Sequence, residues 1–310
     1  MRRQFLFFIN MKFLLCFIFC CCLCQLSLAQ IDPVKYKTYT SIDEALQSTE
    51  PVRSISFRDK EMFNLPPQLG KMKDVFFLNI MSNKLEKMEQ VLFELEKLEI
   101  LNANKNSFKY IPDEISNLKS IHTLFLSLNS LTELNPEIEH LQKLKILHLD
   151  GNNLSVFPSS LVKISTIEEI NLSSNQISAI HEDLRKIKKL ASLNLSFNQL
   201  NDLGQIKLSK NLKYLELQGN FLSTVPSTLF KAGKMESLNL SYNKIKELPE
   251  NIDQLSSVVT LNLSHNKLNQ LPKSITELKN LRTLILNGNP LSANYVERLR
   301  QEMPDTTIYF

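Results

Sequence analysis

The chain has 310 residues, with 36 Lys and Arg, 32 Asp and Glu, and a formal net charge of +4. This near balance lacks the excess of basic residues that a nucleic acid or an anionic membrane surface attracts, so neither is an expected partner. All five cysteines lie between positions 16 and 24, and the rest of the chain can therefore form neither a disulfide nor a thiolate metal site.

Residues 1–29 have the pattern of a secretory signal peptide. Basic residues precede the apolar run FLLCFIFCCCLC at 13–24, and Ser27 and Ala29 are the small residues expected at a cleavage site. The run is short for a transmembrane helix, so we expect no stable membrane span once the signal is removed. The pattern predicts an exported protein, located in the extracellular space, in the periplasm or at the cell surface.

Residues 30–51 predict an N-terminal helical cap. The segment SIDEALQS at 41–48 begins with Ser41 and has Glu44 three residues later, which is the spacing of a capping box. An apolar stripe of Ile42, Ala45 and Leu46 follows and would cover the start of the next segment.

From 52 to 303 the sequence repeats one unit, LxxLxLxxNxLxxLPxxIxxLxx. Its asparagine recurs every 23 residues, apart from one step of 22 residues, at Asn83, Asn106, Asn129, Asn152, Asn175, Asn198, Asn220, Asn243, Asn266 and Asn289. A degenerate first copy, in which Lys60 replaces the asparagine, brings the count to eleven. We number the repeats one to eleven in chain order. Self-similarity at this period is typical of solenoids, in which stacked units bury what one unit cannot.

Each fixed residue of the repeat unit has a physical role. In the copy at 261–280, Leu261 and Leu263 alternate with an outward Asn262, as in a strand with one buried face. The amide of Asn266 carries both a donor and an acceptor, so it can satisfy backbone groups of neighbouring turns. Leaving such a group unpaired costs roughly 1–3 kcal/mol, which explains why the position is so constant. The ten asparagines are therefore predicted to form a structural ladder.

This unit resembles the 23-residue class of the leucine-rich repeat family, and the resemblance covers about residues 52–303. It implies an α/β fold: a curved leucine-rich repeat solenoid of about eleven repeats with a parallel sheet on its concave face. At about 4.8 Å per strand, that face would be on the order of 50 Å long. The resemblance also implies a recognition surface, since members of this family generally bind partners.

Two further segments are predicted to depart from the regular repeat. The short step falls in NQLNDLGQIKLSKN at 198–211, where Gly204 takes the usual proline position, so we expect an irregularity there. At the end, NPLSANYVERLRQEMP has apolar residues at helical spacing, and residues 304–310 can supply a C-terminal cap strand. Both ends need such cover, because an open solenoid exposes its core and its strand edge.

Residues that could perform catalysis are few. The sequence has no glycine-rich phosphate loop, no pair of histidines at a metal-ligand spacing and no serine elbow motif. We therefore predict a protein that is not an enzyme, with no catalytic residues, no cofactor and no metal.

The outward strand positions are the better place to look for function, because the repeat fixes the others. In repeats two to five most of them are apolar or aromatic, and an exposed stripe of that kind usually marks a contact surface. We predict a partner-binding concave patch for a protein or peptide, formed by Phe77, Ile100, His122, Phe125, Ile146 and His148. The alternative is that the N-terminal tail covers Phe76 and Phe77, or that the patch residues only fill sheet positions.

In repeats six to eleven the outward positions carry mainly Asn, Ser and Thr. An alternative function is therefore glycan or cell-surface adhesion through this face, although the chain has no Trp to add an aromatic platform. Phe197 and Tyr242 stand where repeats of this class commonly carry an aromatic, and we assign them to the scaffold. Four outward asparagines also match the glycosylation sequon, as does Asn153, but NLS is the repeat's own consensus. Glycans would obstruct the concave face, which favours an unglycosylated bacterial exported protein.

Overall fold

The computed structural model describes residues 36–310, so the predicted signal peptide lies outside the described residues. Thirteen short strands form one parallel sheet and follow each other in chain order. From β1 to β13 they span Thr38–Tyr39, Ser54–Ser56, Phe77–Asn79, Ile100–Asn102, Thr123–Phe125, Ile146–His148, Glu169–Asn171, Ser192–Asn194, Tyr214–Glu216, Ser237–Asn239, Thr260–Asn262, Thr283–Ile285 and Thr307–Tyr309. This is the architecture of a leucine-rich repeat solenoid, as predicted.

Residues at equivalent positions of successive repeats pair in the sheet. Leu238 pairs with Leu261, which pairs with Leu284, and all three are fully buried. The register follows from the alternation of the repeat, because a slip of one residue would turn every buried leucine to the solvent face.

The chain returns behind the sheet through short 3₁₀ helices, which the LPxxI part of the repeat encodes. Pro272 lies in extended backbone immediately before the helix Lys273–Glu277, where a missing N–H costs nothing, and Ile275 from that helix is buried. Nine such helices occur between residues 36 and 310: Pro67–Lys71, Gln90–Glu94, Asp113–Asn117, Pro136–His140, Ser159–Lys163, Leu184–Lys186, Ser227–Lys231, Glu250–Gln254 and Lys273–Glu277.

The short repeat between β8 and β9 is irregular. It has no 3₁₀ helix, and a turn at Gly204, whose φ is +51°, replaces it. An isolated bridge between Asp183 and Lys207 ties this segment to the preceding repeat, and Leu203 and Ile206 keep the core filled. This repeat is thus one residue shorter on the returning side, behind the sheet. The sheet itself continues without interruption from β8 to β9.

A helix and a strand lie at each end of the sheet. Helix α1, Ile42–Leu46, begins after Ser41, whose side chain accepts a hydrogen bond from the backbone N–H of Glu44. Helix α2, Ala293–Glu302, precedes β13, which pairs with β12. Strand β1 was not predicted: two residues before α1 pair with β2, and Tyr39 is buried there. A strand of two residues is too short for alternation to reveal it.

Candidate functional site

The ten repeat asparagines form a ladder behind the turn that ends each strand. Asn152 is typical: its Nδ2 donates to the carbonyl of Leu126 in the preceding repeat at 3.0 Å and to that of Leu149 at 2.9 Å. Its Oδ1 accepts from the backbone N–H of Leu131 at 3.0 Å. Each amide therefore joins two consecutive coils, and the same pattern recurs at Asn83, Asn106, Asn129, Asn175, Asn198, Asn220, Asn243, Asn266 and Asn289.

The concave patch is placed on adjacent strands, as the repeat requires, but it is less exposed than we expected. Only His122 and Ile146 are half-buried, and the other four members, Phe77, Ile100, Phe125 and His148, are buried. The expectation of an exposed stripe was wrong for these four. Strands about 4.8 Å apart press large neighbouring side chains against one another, so each ring covers part of the next.

Contacts between side chains fix the patch. The rings of Phe125 and His148 lie 4.9 Å apart and are tilted by 60°. Nε2 of His148 lies 2.8 Å from a carboxylate oxygen of Glu169, and Nε2 of His122 lies 3.2 Å from one of Glu99. The patch is thus an apolar and aromatic floor, with a carboxylate beside each of its two histidines.

The N-terminal segment touches the edge of this patch. Tyr36 meets the ring of Phe76 edge-on, with centroids 5.2 Å apart, and the guanidinium of Arg53 lies over the Tyr36 ring at 5.1 Å. Phe76 is half-buried as a result. These contacts agree in part with the alternative that the tail covers Phe76, whereas Phe77 is buried within the sheet itself.

The outward asparagines of repeats six to eleven are arranged differently. Oδ1 of Asn239 accepts from the backbone N–H of Ser241 at 3.1 Å and from its hydroxyl at 2.7 Å. Asn171 and Asn262 make the same two contacts with the serine two residues later, and Asn194 makes the backbone one. Nδ2 of Asn171 donates to Asp150 at 3.1 Å and that of Asn239 to Gln218 at 3.3 Å. The Nδ2 groups of Asn194 and Asn262 are therefore the amide donors that this face presents.

Glu216 is the one acidic residue among these polar positions in β8 to β12. It is half-buried, and this burial raises the pKa of its carboxyl above the usual value of 4.5, an effect that a hydrogen bond from Asn239 partly offsets. The folded state therefore binds this proton more tightly than the unfolded state. The stabilisation from Glu216 is present at low pH and is lost as the pH rises through the folded-state pKa.

We expect Glu216→Gln to raise the melting temperature at neutral pH, because the amide needs no charge to be desolvated. The gain should shrink as the pH falls from about 7 toward about 4, where the wild-type carboxyl is protonated. Thermal unfolding followed by circular dichroism across this range measures it. Glu86→Gln, at an exposed position, is the control, and a gain that stayed constant with pH would contradict the assignment.

Two exposed aromatic residues lie at the turn after the strands. Phe197 and Tyr242 are 49% and 48% exposed, so the scaffold role assigned to them does not rest on burial. Both have a left-handed backbone, with φ of 55° and 53°. The signal available in the sequence was the glycine at the same place in other repeats, such as Gly219, because a turn of this kind favours glycine.

Among residues 36–310, no three His, Asp or Glu side chains lie close enough together to hold a metal ion. Neither α1 nor α2 is long and apolar enough to cross a membrane, and no other helix in this part of the chain is either.

Comparison with known proteins agrees with this geometry. A family model described as "Leucine-rich repeat region" matches residues 52–218, and one described as "Leucine rich repeat" matches residues 210–268 and 249–291. An adenylate cyclase of Schizosaccharomyces pombe (strain 972 / ATCC 24843) is 26% identical over 82 residues, or 26% of this chain. The chain spans 5% of the length of that cyclase, and the match falls far short of the whole enzyme.

Solved structures share the fold. The chain is similar to one in the crystal structure of PEPR1–AtPEP1, with 27% identity and a TM-score of 0.59, over 79% of this chain and 40% of that one. It is also similar to one in the octameric complex of Latrophilin 3, Unc5D and FLRT2 (LRR), with 21% identity and a TM-score of 0.72, over 83% of both chains.

Proposed function

Because the chain belongs to the leucine-rich repeat family, we propose that it is an exported, non-catalytic scaffold that binds a protein or peptide on its concave face. The observation that carries the proposal is the concave patch. Four consecutive strands, β3 to β6, carry no acidic or basic chain other than His148 at an outward position. An apolar floor with polar groups at its edge is the usual composition of a protein-binding surface.

Two further observations support the proposal. The carboxylates of Glu99 and Glu169 stand beside the patch and can pair with basic groups of a partner, which adds specificity. A similar solved chain, with 27% identity, comes from the crystal structure of PEPR1–AtPEP1. The signal-like pattern at 1–29 supports export to the extracellular space, the periplasm or the cell surface.

The sharpest test replaces Ile146 by Glu. Ile146 is half-buried, so a new carboxylate there remains solvated, whereas a charge at the buried Phe125 would itself destabilise the fold. Peptides selected from a displayed library on the wild-type protein should bind the variant at least about tenfold more weakly, which equals about 1.4 kcal/mol.

The matched control is Ile285→Glu. It is the same substitution on the same face, at another half-buried isoleucine, and it lies in repeat eleven, far from the patch. Binding of the selected peptides should be unchanged in this control. Equal loss in both variants, or loss in neither while both remain folded, would remove the patch as the binding surface.

A further inference from the structure

A second surface lies at the other end of the solenoid, along the turns that follow β8 to β12. We call Phe197, Tyr242 and His265 the aromatic rim. The rings of Tyr242 and His265 are stacked, with centroids 4.2 Å apart and an angle of 15°. A Cβ atom built on Gly219 would lie 2.5 Å from the Phe197 ring, and one built on Gly288 would lie 2.6 Å from the His265 ring. The glycines thus leave room for the rings of Phe197 and His265 over the next repeat.

The exposed residues of the rim have a strained backbone. All three of its residues have a left-handed backbone, with φ between 53° and 55°, which bulky side chains adopt rarely. Phe197 and Tyr242 nevertheless expose about half of their surface, 49% and 48%, so the strain is not offset by burial in the core. The rim extends over repeats seven to ten, roughly 14 Å at the spacing of parallel strands.

Hydrogen-bond donors lie on the strands that lead into this rim. Oδ1 of Asn194 accepts from the N–H of Ser196 at 2.9 Å, and Oδ1 of Asn262 accepts from that of Ser264 at 3.0 Å. Neither Nδ2 group donates to another side chain or carbonyl among residues 36–310. These amides are held in place by their oxygens, with their donors directed to solvent or to a ligand.

Charged side chains lie at the two borders of this surface. Ion pairs and cations such as Lys213 with Glu236 at 2.8 Å and the side chain of Arg282 stand before the strands. The exposed Lys244 and Lys267 each follow a rim residue by two positions. Between these borders, within the strands β8 to β12 and the two positions after each, Glu216 is the one charged side chain, and a polyanion on the strands would meet its carboxylate.

We propose that the aromatic rim and the adjoining asparagines form a binding site for an uncharged oligosaccharide. The faces of its sugar rings present C–H groups, which pack on Phe197 and Tyr242, and its hydroxyl oxygens accept from the Nδ2 groups of Asn194 and Asn262. This match of stacked rings with neutral donors distinguishes the surface from the concave patch, which has large apolar side chains and carboxylates at its edge. The site goes beyond the proposed protein-binding function and is independent of it.

Affinity electrophoresis of residues 30–310 in gels that contain hydroxyethyl cellulose, laminarin or amylose tests the site, followed by calorimetric titration with cellohexaose and chitohexaose. The wild-type protein should be retarded by at least one of these neutral glucans or bind one of the hexaoses. The double variant Phe197→Asn, Tyr242→Asn should bind about tenfold or more weakly, since two stacking rings are lost. Asn is chosen because it tolerates the left-handed backbone.

Asn262→Asp provides a second test that leaves the rings intact. Aspartate keeps an oxygen that accepts from the N–H and the hydroxyl of Ser264 and replaces the Nδ2 donor by a second oxygen, so binding should fall by roughly threefold or more. Two controls should bind as the wild type does: Phe63→Asn, which removes a 66% exposed ring elsewhere, and Ile146→Glu in the concave patch.

Thermal unfolding of every variant separates lost binding from lost folding. The inference is overturned if none of the five probes binds the wild-type protein, if the folded double variant binds as well as the wild type, or if dextran sulfate binds at the rim more tightly than the neutral glucans. Peptide binding that fails while glucan binding persists would reject the proposed function alone.

Discussion

Replacing Asn152 by Leu is expected to lower the free energy of unfolding by about 3 kcal/mol or more, because several buried backbone groups lose their partners at once. Asn152 is 6% exposed and joins two repeats through its amide. Without it, the carbonyls of Leu126 and Leu149 and the N–H of Leu131 remain in the interior without this partner. Leucine has the same number of side-chain heavy atoms, branched at the same carbon, so the substitution leaves no cavity and the loss reports chiefly on hydrogen bonding.

The neighbouring Asn153 provides a matched control. It is the next residue in the same turn, it is exposed, and its side chain is contacted by that of Gln176 at 3.2 Å. Asn153→Leu should change the free energy of unfolding by less than about 0.5 kcal/mol, as exposed substitutions usually do. Urea denaturation followed by circular dichroism measures both variants. Similar midpoints for the two would show that the ladder contributes little, and the structural role assigned to the repeat asparagines would then be wrong.

The difference between the periodic repeats and the segments outside them explains how much of the fold the sequence alone could predict. Leu261 and Asn266 sit in a periodic environment, so one rule applied ten times locates the strand, the turn and the buried face. Two-residue β1 has no periodic context, and its pairing with β2 depends on a chain segment outside the repeats. Sequence patterns therefore predict the elements that recur in every repeat. Elements outside the repeats, such as β1, depend on tertiary packing that the patterns do not show.

The candidate sites show a second limit. The repeat correctly directs Phe125 to the concave side, yet its exposure depends on the size of the side chains on neighbouring strands, and His148 covers it. Conversely, Phe197 occupies a position that the family pattern treats as scaffold, and only the placement of its ring over Gly219 shows it as a surface. Burial and ring orientation are properties of neighbouring repeats taken together, which no single repeat encodes.

Replacing Phe230 by Ala is the second change for which we expect a large loss, about 3–5 kcal/mol of unfolding free energy, because it removes a fully buried ring and leaves a cavity. Phe230 belongs to the 3₁₀ helix Ser227–Lys231, the first one after the short repeat, in which that helix is missing. The equivalent position carries the buried Phe93 in repeat two and the exposed Asp253 in the next repeat, so the buried ring is not part of the consensus unit.

The region of the chain that Phe230→Ala destabilises is as informative as the free energy that is lost. Each repeat of a solenoid contacts mainly its neighbours, so the loss at Phe230 should spread along the chain from this point and weaken with distance. Amide hydrogen exchange should accelerate most between 198 and 250, and least around Asn106. Phe221→Ala, which removes a 47% exposed ring from the same repeat, should leave the exchange pattern nearly unchanged. Uniform acceleration along the whole sheet in Phe230→Ala would instead mean that the solenoid unfolds as one cooperative unit, with no weak point at its short repeat.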